Sequence, residues 1–367
     1  MKRIALFFDR TYVDAHFCFT ELARHLAKNE FQVDLFHLSN PYNLAPNFFE
    51  PNISVRQFPQ GKLEKLVFTY RRWFTDELKY DAIIGTPIHG AVLGCRLAKE
   101  QGVPFFYLAD EIFDPLTRYH KLENWGKAKS LDKKANQSAL ASIVLGEDRF
   151  TYQKKVNSLS DSHRHFLIPN SPSGEVKKLQ SHYFRDVFEI RDEKPIVLFI
   201  GTLNWNLART IYEETREYKD KDYHLVFHGR TQGLMAQNKP HPFIKVSKEP
   251  LPSSLLNYAI SSADLGLVLY DQSIPQESNN GWTGGKIGTY FKNGLPVIAG
   301  NLDSFRQFET NGVGAFWDGK TELDLMIKST LAKTDFLQKN IPAFYNLHYR
   351  YEKFFAPFLT FLLNSVS

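Results

Sequence analysis

Short apolar runs alternate with stretches of helical periodicity along the chain, and this alternation constrains the fold more than any other feature. Near the start, Arg3–Phe8 is a continuous run typical of a buried strand. Apolar residues then recur at helical spacing from Phe17 to Ala27, and Gln32–His37 predicts the next strand. A repeated strand–helix–strand order implies parallel strands covered by helices on both faces. The sequence therefore predicts an α/β protein built on parallel sheets.

The alternation forms two blocks, separated by a segment rich in proline and serine. The first block continues with predicted elements at Ile53–Phe58, Tyr80–Gly85, His89–Gln101, Val103–Ala109 and Ser142–Gly146. The second block has predicted elements at Pro195–Ile200, Leu207–Tyr218, His224–Phe227, Pro252–Ser262, Leu265–Leu269 and Pro296–Ala299. Because 367 residues suit two domains, we predict an N-terminal domain over 1–168, a linker over 169–174, a C-terminal domain over 175–342 and a final aromatic helix over 343–367.

Composition and charge exclude several classes of protein. The formal net charge of +5 and a pI near 8.9 suit anionic ligands and are too weak for a dedicated nucleic-acid binder. The two cysteines, Cys18 and Cys95, lie in apolar helical settings without zinc-site spacing, as expected of a reduced cytosolic protein. The apolar run near the first residue is too brief for a signal peptide, and none reaches membrane-spanning length. We therefore expect a cytoplasmic protein that attaches, at most, to the inner face of a membrane.

The segment Gly284–Gly300 (GGKIGTYFKNGLPVIAG) carries the strongest chemical signal. A helix that starts at these glycines would present unpaired amides and a positive dipole end to an anion, and Lys286 would add a charge. Thr283 would cap this helix or donate a hydroxyl, and Gly294 would end it in a left-handed conformation. The alternative interpretation is a flexible turn with a solvated lysine, since the spacing of a phosphate loop is absent.

With its flanks, this segment resembles the nucleotide-sugar-binding region of GT-B fold glycosyltransferases, particularly the family-4-like retaining enzymes. The matching residues are Ala263, Asp264, Gly266, Lys286, Tyr290, Gly294, Pro296, Val297 and Ile298. Further similar stretches are YDAIIGTPIHGAVLGCRLAKEQGVPFFY, IPNSP, FIGTL and LVFHGRT. The resemblance implies two Rossmann-like doubly wound parallel-sheet domains facing across a cleft, with the last helix packing back on the N-terminal domain. It also implies that the C-terminal domain binds the sugar donor and that transfer retains the anomeric configuration.

The same resemblance suggests which residues bind the donor. They are Gly201, Thr202, Arg230, Glu277, Thr283, Gly284, Gly285, Lys286 and Thr289. The family carries a glutamate where this chain has Thr289, and a partner glutamate where it has Gly281. We expect Thr289 to replace the first acid weakly, Glu277 to supply a displaced ribose contact, and Arg230 with Lys286 to face the phosphates.

Polar residues that follow predicted N-terminal strands are candidates for the chemistry. Asp110 and Glu111 end one strand, where a carboxylate would position an acceptor hydroxyl or stabilise an oxocarbenium charge. His89 follows another strand, and Asp14 and His16 follow the first. The alternatives are surface ion pairs for the acids, a structural role for His89, and Asp14 as a helix cap.

Two basic stretches of the N-terminal domain raise the question of membrane binding. Residues 62–80 form an amphipathic basic pattern that fits either a membrane-surface helix or a helix of the core. The second stretch contains Lys121, Lys127, Lys129, Lys133 and Lys134. If both stretches share one face, that face would bind anionic lipid.

Together these patterns predict a hexosyltransferase-like glycosyltransferase that moves a sugar from a nucleotide-sugar donor to a glycan or lipid-linked acceptor, in bacterial-type surface polysaccharide or glycan assembly. We expect no metal or other cofactor, no nucleic-acid partner and a possible anionic membrane surface as partner. Two alternatives remain. One is a nucleotide-sugar epimerase of the same fold, and the other is a catalytically inactive binding partner of that fold.

Overall fold

The computed structural model describes residues 1–8, 16–38, 48, 50–58, 78–114, 125–202, 206–217, 221–230, 241–247, 251–270, 283–300 and 302–366. They form two compact units. The N-terminal unit comprises Met1–Ser173 and Tyr351–Ser367, and the C-terminal unit comprises Gly174–Arg350. The first change of unit falls within the segment predicted as a linker. Asp14, Glu277 and most of the basic segment 62–80 lie outside the described residues.

A parallel sheet of seven strands forms the centre of the N-terminal unit's described part. The strands are β1 (Arg3–Phe7), β2 (Gln32–Leu38), β3 (Ile53–Phe58), β4 (Ala82–Gly85), β5 (Phe105–Ala109), β6 (Ala141–Val144) and β7 (His165–Leu167). Their order is β3-β2-β1-β4-β5-β6-β7. At the carboxyl end of β1, Phe7 pairs with Phe36 on one side and with Gly85 on the other. The strand order therefore reverses between β1 and β4, which is where open α/β sheets bind ligands.

Helices cover both faces of this sheet. They are α1 (Phe17–Lys28), α2 (His89–Gln101), α3 (Trp125–Ser138) and α4 (Glu147–Asn157). Along β5, Phe106 and Leu108 belong to one buried cluster, whereas Phe105 and Tyr107 belong to another. Alternate side chains of a strand point to opposite faces, so each face of the sheet has its own core.

The chain ends in a helix that belongs to the N-terminal unit. Where one aromatic segment was predicted from residue 343, the structure has helices at Thr334–His348 and Tyr351–Ser365, divided at the boundary between the units. The Tyr351 hydroxyl donates to the carbonyl oxygen of Cys18 at 3.2 Å, and Phe358 is fully buried in the core beside Phe106. This packing accounts for the aromatic content of the last helix.

The C-terminal unit has a parallel sheet of six strands among its described residues. They are β8 (Ile196–Thr202), β9 (His224–Arg230), β10 (Ile244–Ser247), β11 (Leu265–Leu269), β12 (Val297–Gly300) and β13 (Gly314–Trp317). The order β10-β9-β8-β11-β12-β13 reverses between β8 and β11. The helices of this unit are α5 (Tyr183–Val187), α6 (Asn206–Arg216), α7 (Ser253–Ser261), α8 (Gly285–Lys292), α9 (Arg306–Thr310), α10 (Leu323–Leu331) and α11 (Thr334–His348). The helix Tyr351–Ser365 of the N-terminal unit is α12. Both sheets thus have the doubly wound parallel architecture that the sequence predicts.

Helix α8 ends as its sequence predicts. Gly294 adopts the left-handed conformation with φ of 65°. Its amide donates to Phe291 O at 2.9 Å, and the amide of Leu295 donates to Tyr290 O at 2.9 Å. This pair of bonds is the Schellman motif, which satisfies carbonyls that the helix end would otherwise leave unpaired.

Other features differ from the sequence prediction. The pattern did not predict β7, β10 or β13, each of which has only three or four residues. Lys129, assigned to a possible lipid-binding face, is instead buried, and its ammonium donates to Asp132 at 2.9 Å and to Asn157 at 2.7 Å. Among the described residues, no helix combines the length and apolar character needed to cross a bilayer.

Candidate functional site

A helix begins beside the point where the strand order of the C-terminal sheet reverses. Gly284 is the N-cap of α8, and its backbone is extended, with φ of −63° and ψ of 133°. Thr283 immediately precedes this N-cap, and its role as a cap or a hydroxyl donor stays a prediction. The first amides of a helix lack intrahelical acceptors and lie at the positive end of its dipole. The start of α8 therefore has the properties of an anion site.

The side chain of Lys286 extends from the first turn of α8 toward the carboxyl end of β8. Its ammonium nitrogen lies 4.7 Å from the centre of the Phe199 ring and 5.2 Å from that of Tyr270. It also lies across the backbone of Gly201, where a Cβ would come within 3.4 Å of the nitrogen. Gly201, Gly284 and Lys286, all predicted to bind the donor, are thus brought together.

Several residues of the matching motif serve packing. A Cβ on Gly266 would approach the Tyr290 ring to 2.7 Å, so the absence of a side chain there makes room for the ring. The Tyr290 hydroxyl accepts from the amide of Ile200 and donates to the carbonyl of Leu198, each at 2.9 Å. Burial raises the pKa of Tyr290 well above its usual value, which keeps this hydroxyl protonated.

Asp264 is also a structural residue of this motif. Its carboxylate accepts from the amide of Ile196, the first residue of β8, at 2.8 Å. Lys178 lies 3.8 Å from the same side chain. The aspartate therefore anchors the start of β8, at the opposite end of the strand from Gly201.

The other predicted donor residues have different surroundings. Thr289 is fully buried, and its hydroxyl donates to Gly285 O at 2.7 Å within the helix. Thr202 and Arg230 pair in register at the ends of β8 and β9, and the structure describes their backbones only. Gly285 is the first residue of α8, and Glu277 lies outside the described residues.

Two of the catalytic candidates meet in the N-terminal unit. His16 is the N-cap of α1, and its Nδ1 lies 3.3 Å from Oδ2 of Asp110, which follows β5. The Asp110 side chain is fully buried, whereas that of His16 retains 20% exposure. The edge of the Phe8 ring packs against the imidazole at 4.9 Å between centroids. The arrangement is a histidine whose Nδ1 faces a buried carboxylate.

Helix α4 holds the segment that carries Asp110. The guanidinium of buried Arg149 donates to the carbonyl oxygen of Asp110 at 2.8 Å. The hydroxyl of Tyr152 donates to the carboxylate of Asp114, and burial together with this bond raises the pKa of Tyr152 well above its usual value. Sequence reasoning missed these contacts, because Arg149 sits on a helix that the apolar pattern did not reveal.

The remaining described N-terminal candidates are Glu111 and His89. Glu111 is half-buried, and its amide donates to Oδ1 of Asp110 at 3.0 Å. His89 is the first residue of α2 and is also half-buried. His16 is the N-cap of α1, and Asp14, whose alternative role is that of the cap, lies outside the described residues.

Comparison with known proteins places the chain by its fold. Neither the scan against protein-family models nor the search of curated proteins finds a match. Solved structures match over the whole chain at low sequence identity. Sucrose-phosphate synthase from Thermosynechococcus elongatus has 15% identity and a TM-score of 0.72, and the match covers 100% of both chains.

Two further structures are similar over most of their length. Anabaena HepE in complex with UDP-glucose has 14% identity and a TM-score of 0.68, with 99% of this chain and 100% of that chain covered. A putative UDP-N-acetylglucosamine 2-epimerase from Listeria monocytogenes has 12% identity and a TM-score of 0.59, with 93% and 92% covered. Together with the two doubly wound parallel sheets, these likenesses establish that the chain has the GT-B fold.

Proposed function

We propose that the protein is a nucleotide-sugar-dependent glycosyltransferase. The observation that carries the proposal is the start of α8, where Lys286 lies across Gly201 at the reversal of the C-terminal sheet. The likeness to GT-B structures solved with UDP or UDP-glucose supports a nucleotide sugar as the ligand.

The C-terminal unit would bind the donor through its diphosphate. The amides of Gly284 and Gly285 and the ammonium of Lys286 would contact phosphate oxygens, with Arg230 and the last two residues of β8, Gly201 and Thr202, beside them. When the bond from the anomeric carbon to the diphosphate breaks, negative charge grows on the departing phosphate. Preorganised donors aimed at that charge lower the barrier. Because these groups already supply positive charge, we expect activity to persist when divalent metals are chelated.

The N-terminal unit would activate the acceptor. A histidine whose Nδ1 contacts a buried carboxylate is suited to accept a proton at Nε2, because the carboxylate orients the ring and stabilises the imidazolium that forms. In this role His16 would remove the proton of an acceptor hydroxyl as it attacks the anomeric carbon, and Asp110 would stabilise the charged ring. Glu111 and His89 would contact the sugar or the acceptor.

The stereochemistry of transfer is open to a direct test. The family resemblance implies retention, in which the acceptor oxygen ends on the face that the diphosphate left. A single displacement with His16 as the base would give inversion instead. Proton NMR of the first-formed product, read from its anomeric coupling constant, distinguishes the two courses.

We propose a glycan or a lipid-linked sugar as the acceptor, in the assembly of a surface polysaccharide at the inner face of a membrane. This part of the proposal rests on the basic composition of residues 62–80, with Lys133 and Lys134. Co-sedimentation with vesicles of anionic and of neutral lipid tests it, with retention on anionic vesicles alone as the supporting result.

The experiment that tests the function is a thermal-shift panel of nucleoside diphosphates and nucleotide sugars. The nucleotide sugar that raises the melting temperature of the protein most is then assayed for turnover. We expect release of nucleoside diphosphate that accelerates when a glycan acceptor is added. A second sugar isomer formed without any acceptor would instead indicate an epimerase, which the likeness to the Listeria protein favours as the second candidate. Stabilisation without turnover would indicate an inactive binding partner.

A further inference from the structure

Two aromatic side chains hold the ammonium of Lys286 from opposite faces of the C-terminal sheet. Phe199 belongs to the core cluster on one face, and Tyr270 belongs to the cluster on the other. Phe199 lies in β8, and Tyr270 directly follows β11, the neighbouring strand. The rings thus flank the reversal of strand order, with the ammonium about 5 Å from both centres, within the range of cation–π attraction.

Tyr270 also contacts the start of α8. Its hydroxyl oxygen lies so close to the Cα of Gly284 that a Cβ on that residue would overlap it. The ring is almost fully buried and packs near Phe305, with 5.8 Å between centroids. Tyr270 therefore contacts both the N-cap residue and the lysine of the same helix.

We infer that Tyr270 is a positioning residue of the anion site. An aromatic face holds a cation without cancelling its charge. The ring keeps the ammonium over Gly201. Tyr270 thus acts on a diphosphate through Lys286. The nature of the ligand rests on the proposed function, but the placement of the lysine does not.

Calorimetry with UDP and with inorganic pyrophosphate tests this role in the full chain. Removing the ring in Tyr270→Leu should weaken both affinities about fivefold, the worth of a partly desolvated cation–π contact. Tyr270→Phe keeps the ring and should stay within about twofold of the wild type. If Lys286→Met is made first, Tyr270→Leu should have little further effect, because the two residues act as a unit. Phe308→Leu, in the same core cluster, is the control for loss of a buried aromatic residue.

NMR of the ligand-free protein provides a second readout. The ε-methylene protons of Lys286, assigned with Lys286→Arg, should be shifted upfield by the rings and should move toward ordinary lysine values in Tyr270→Leu but not in Phe308→Leu. Three results would overturn the inference. The effects of Tyr270→Leu and Lys286→Met on affinity could be additive, or Tyr270→Phe and Tyr270→Leu could lose equal affinity. The Lys286 resonance could also stay unmoved in Tyr270→Leu. Failure of the wild type to bind either probe would overturn the proposed function instead, and the resonance would still decide the placement.

Discussion

The carboxyl ends of the two sheets differ in the chemistry that they present. In the C-terminal unit the reversal of strand order is occupied by backbone amides, glycines and the cationic side chain of Lys286. In the N-terminal unit the corresponding edge carries His16 against Asp110, a pair able to exchange a proton. The same architecture thus provides a candidate anion site in one unit and a candidate acid–base pair in the other, and the difference lies in a few residues that follow the strands.

The largest effect should come from removing the proton acceptor of the N-terminal unit. His16→Ala should lower kcat by about 10²- to 10⁴-fold, the usual contribution of a general base, with little change in donor affinity. Initial rates at saturating donor, together with calorimetry of UDP, measure the two quantities. Asp110→Asn is the companion variant and should shift kcat in the same direction. A loss of kcat smaller than about threefold would assign the pair a structural role.

A buried histidine of the C-terminal unit, His228, should affect the stability of the protein and not its activity. His228 in β9 is buried, its Nδ1 lies 2.9 Å from the Ser247 hydroxyl, and burial lowers its pKa to about 4. The unfolded chain binds this proton near pH 6.5, so the stability contributed by neutral His228 is present above pH 6.5 and is lost as the pH falls toward 4.

The expected loss from this one residue between pH 7 and pH 4.5 is about 2 to 3 kcal/mol. Urea unfolding of the wild type and of His228→Gln at both pH values isolates it, because other groups titrate equally in the two proteins. Activity at neutral pH should depend on the presence of His16 and should be unchanged in His228→Gln. Equal acid sensitivity of the two proteins would contradict the assignment of a buried neutral imidazole.

Packing residues of the matching motif should affect stability more than ligand affinity. Gly266→Ala introduces a methyl group against the Tyr290 ring, and overpacking of this kind costs about 1 to 3 kcal/mol. Denaturant unfolding measures the loss. Gly102→Ala is not an equivalent control because Gly102 has a positive φ, whereas Gly126→Ala, whose added Cβ would meet none of the described side chains within 4 Å, should be nearly neutral. A stable Gly266→Ala protein that has lost UDP binding would instead place Gly266 in the binding site.

The smallest effect should come from Thr289, the residue found where the family carries an acid. Its hydroxyl already donates to Gly285 O, and the side chain is buried. Thr289→Val should therefore leave UDP affinity within about twofold, the size of one minor contact. Calorimetry measures it, and a tenfold loss would restore Thr289 to the donor site.

Local sequence patterns predicted the strands and helices that carry a clear apolar run, and the helix end that carries a glycine. The strand at Leu265–Leu269, the helix at His89–Gln101 and the glycine stop at Gly294 follow from apolar runs and backbone preference. Contacts between distant segments could not be predicted in this way. The pairing of His16 with Asp110 depends on the order of strands in the sheet, and the rings around Lys286 come from strands that are adjacent only after folding. One feature of the sequence points to Tyr270 as a residue near a site, namely its position immediately after a buried strand.

The central claim is that the start of α8 binds the diphosphate of a donor, and calorimetry of UDP on two lysine variants tests it most directly. Lys286→Ala should weaken binding by at least about tenfold, the worth of one charge-assisted contact. Lys292→Ala removes an equal charge from the other end of the same helix, where the side chain donates to Glu175 O, and should leave the affinity nearly unchanged. Equal affinities for the wild type and Lys286→Ala would contradict the claim.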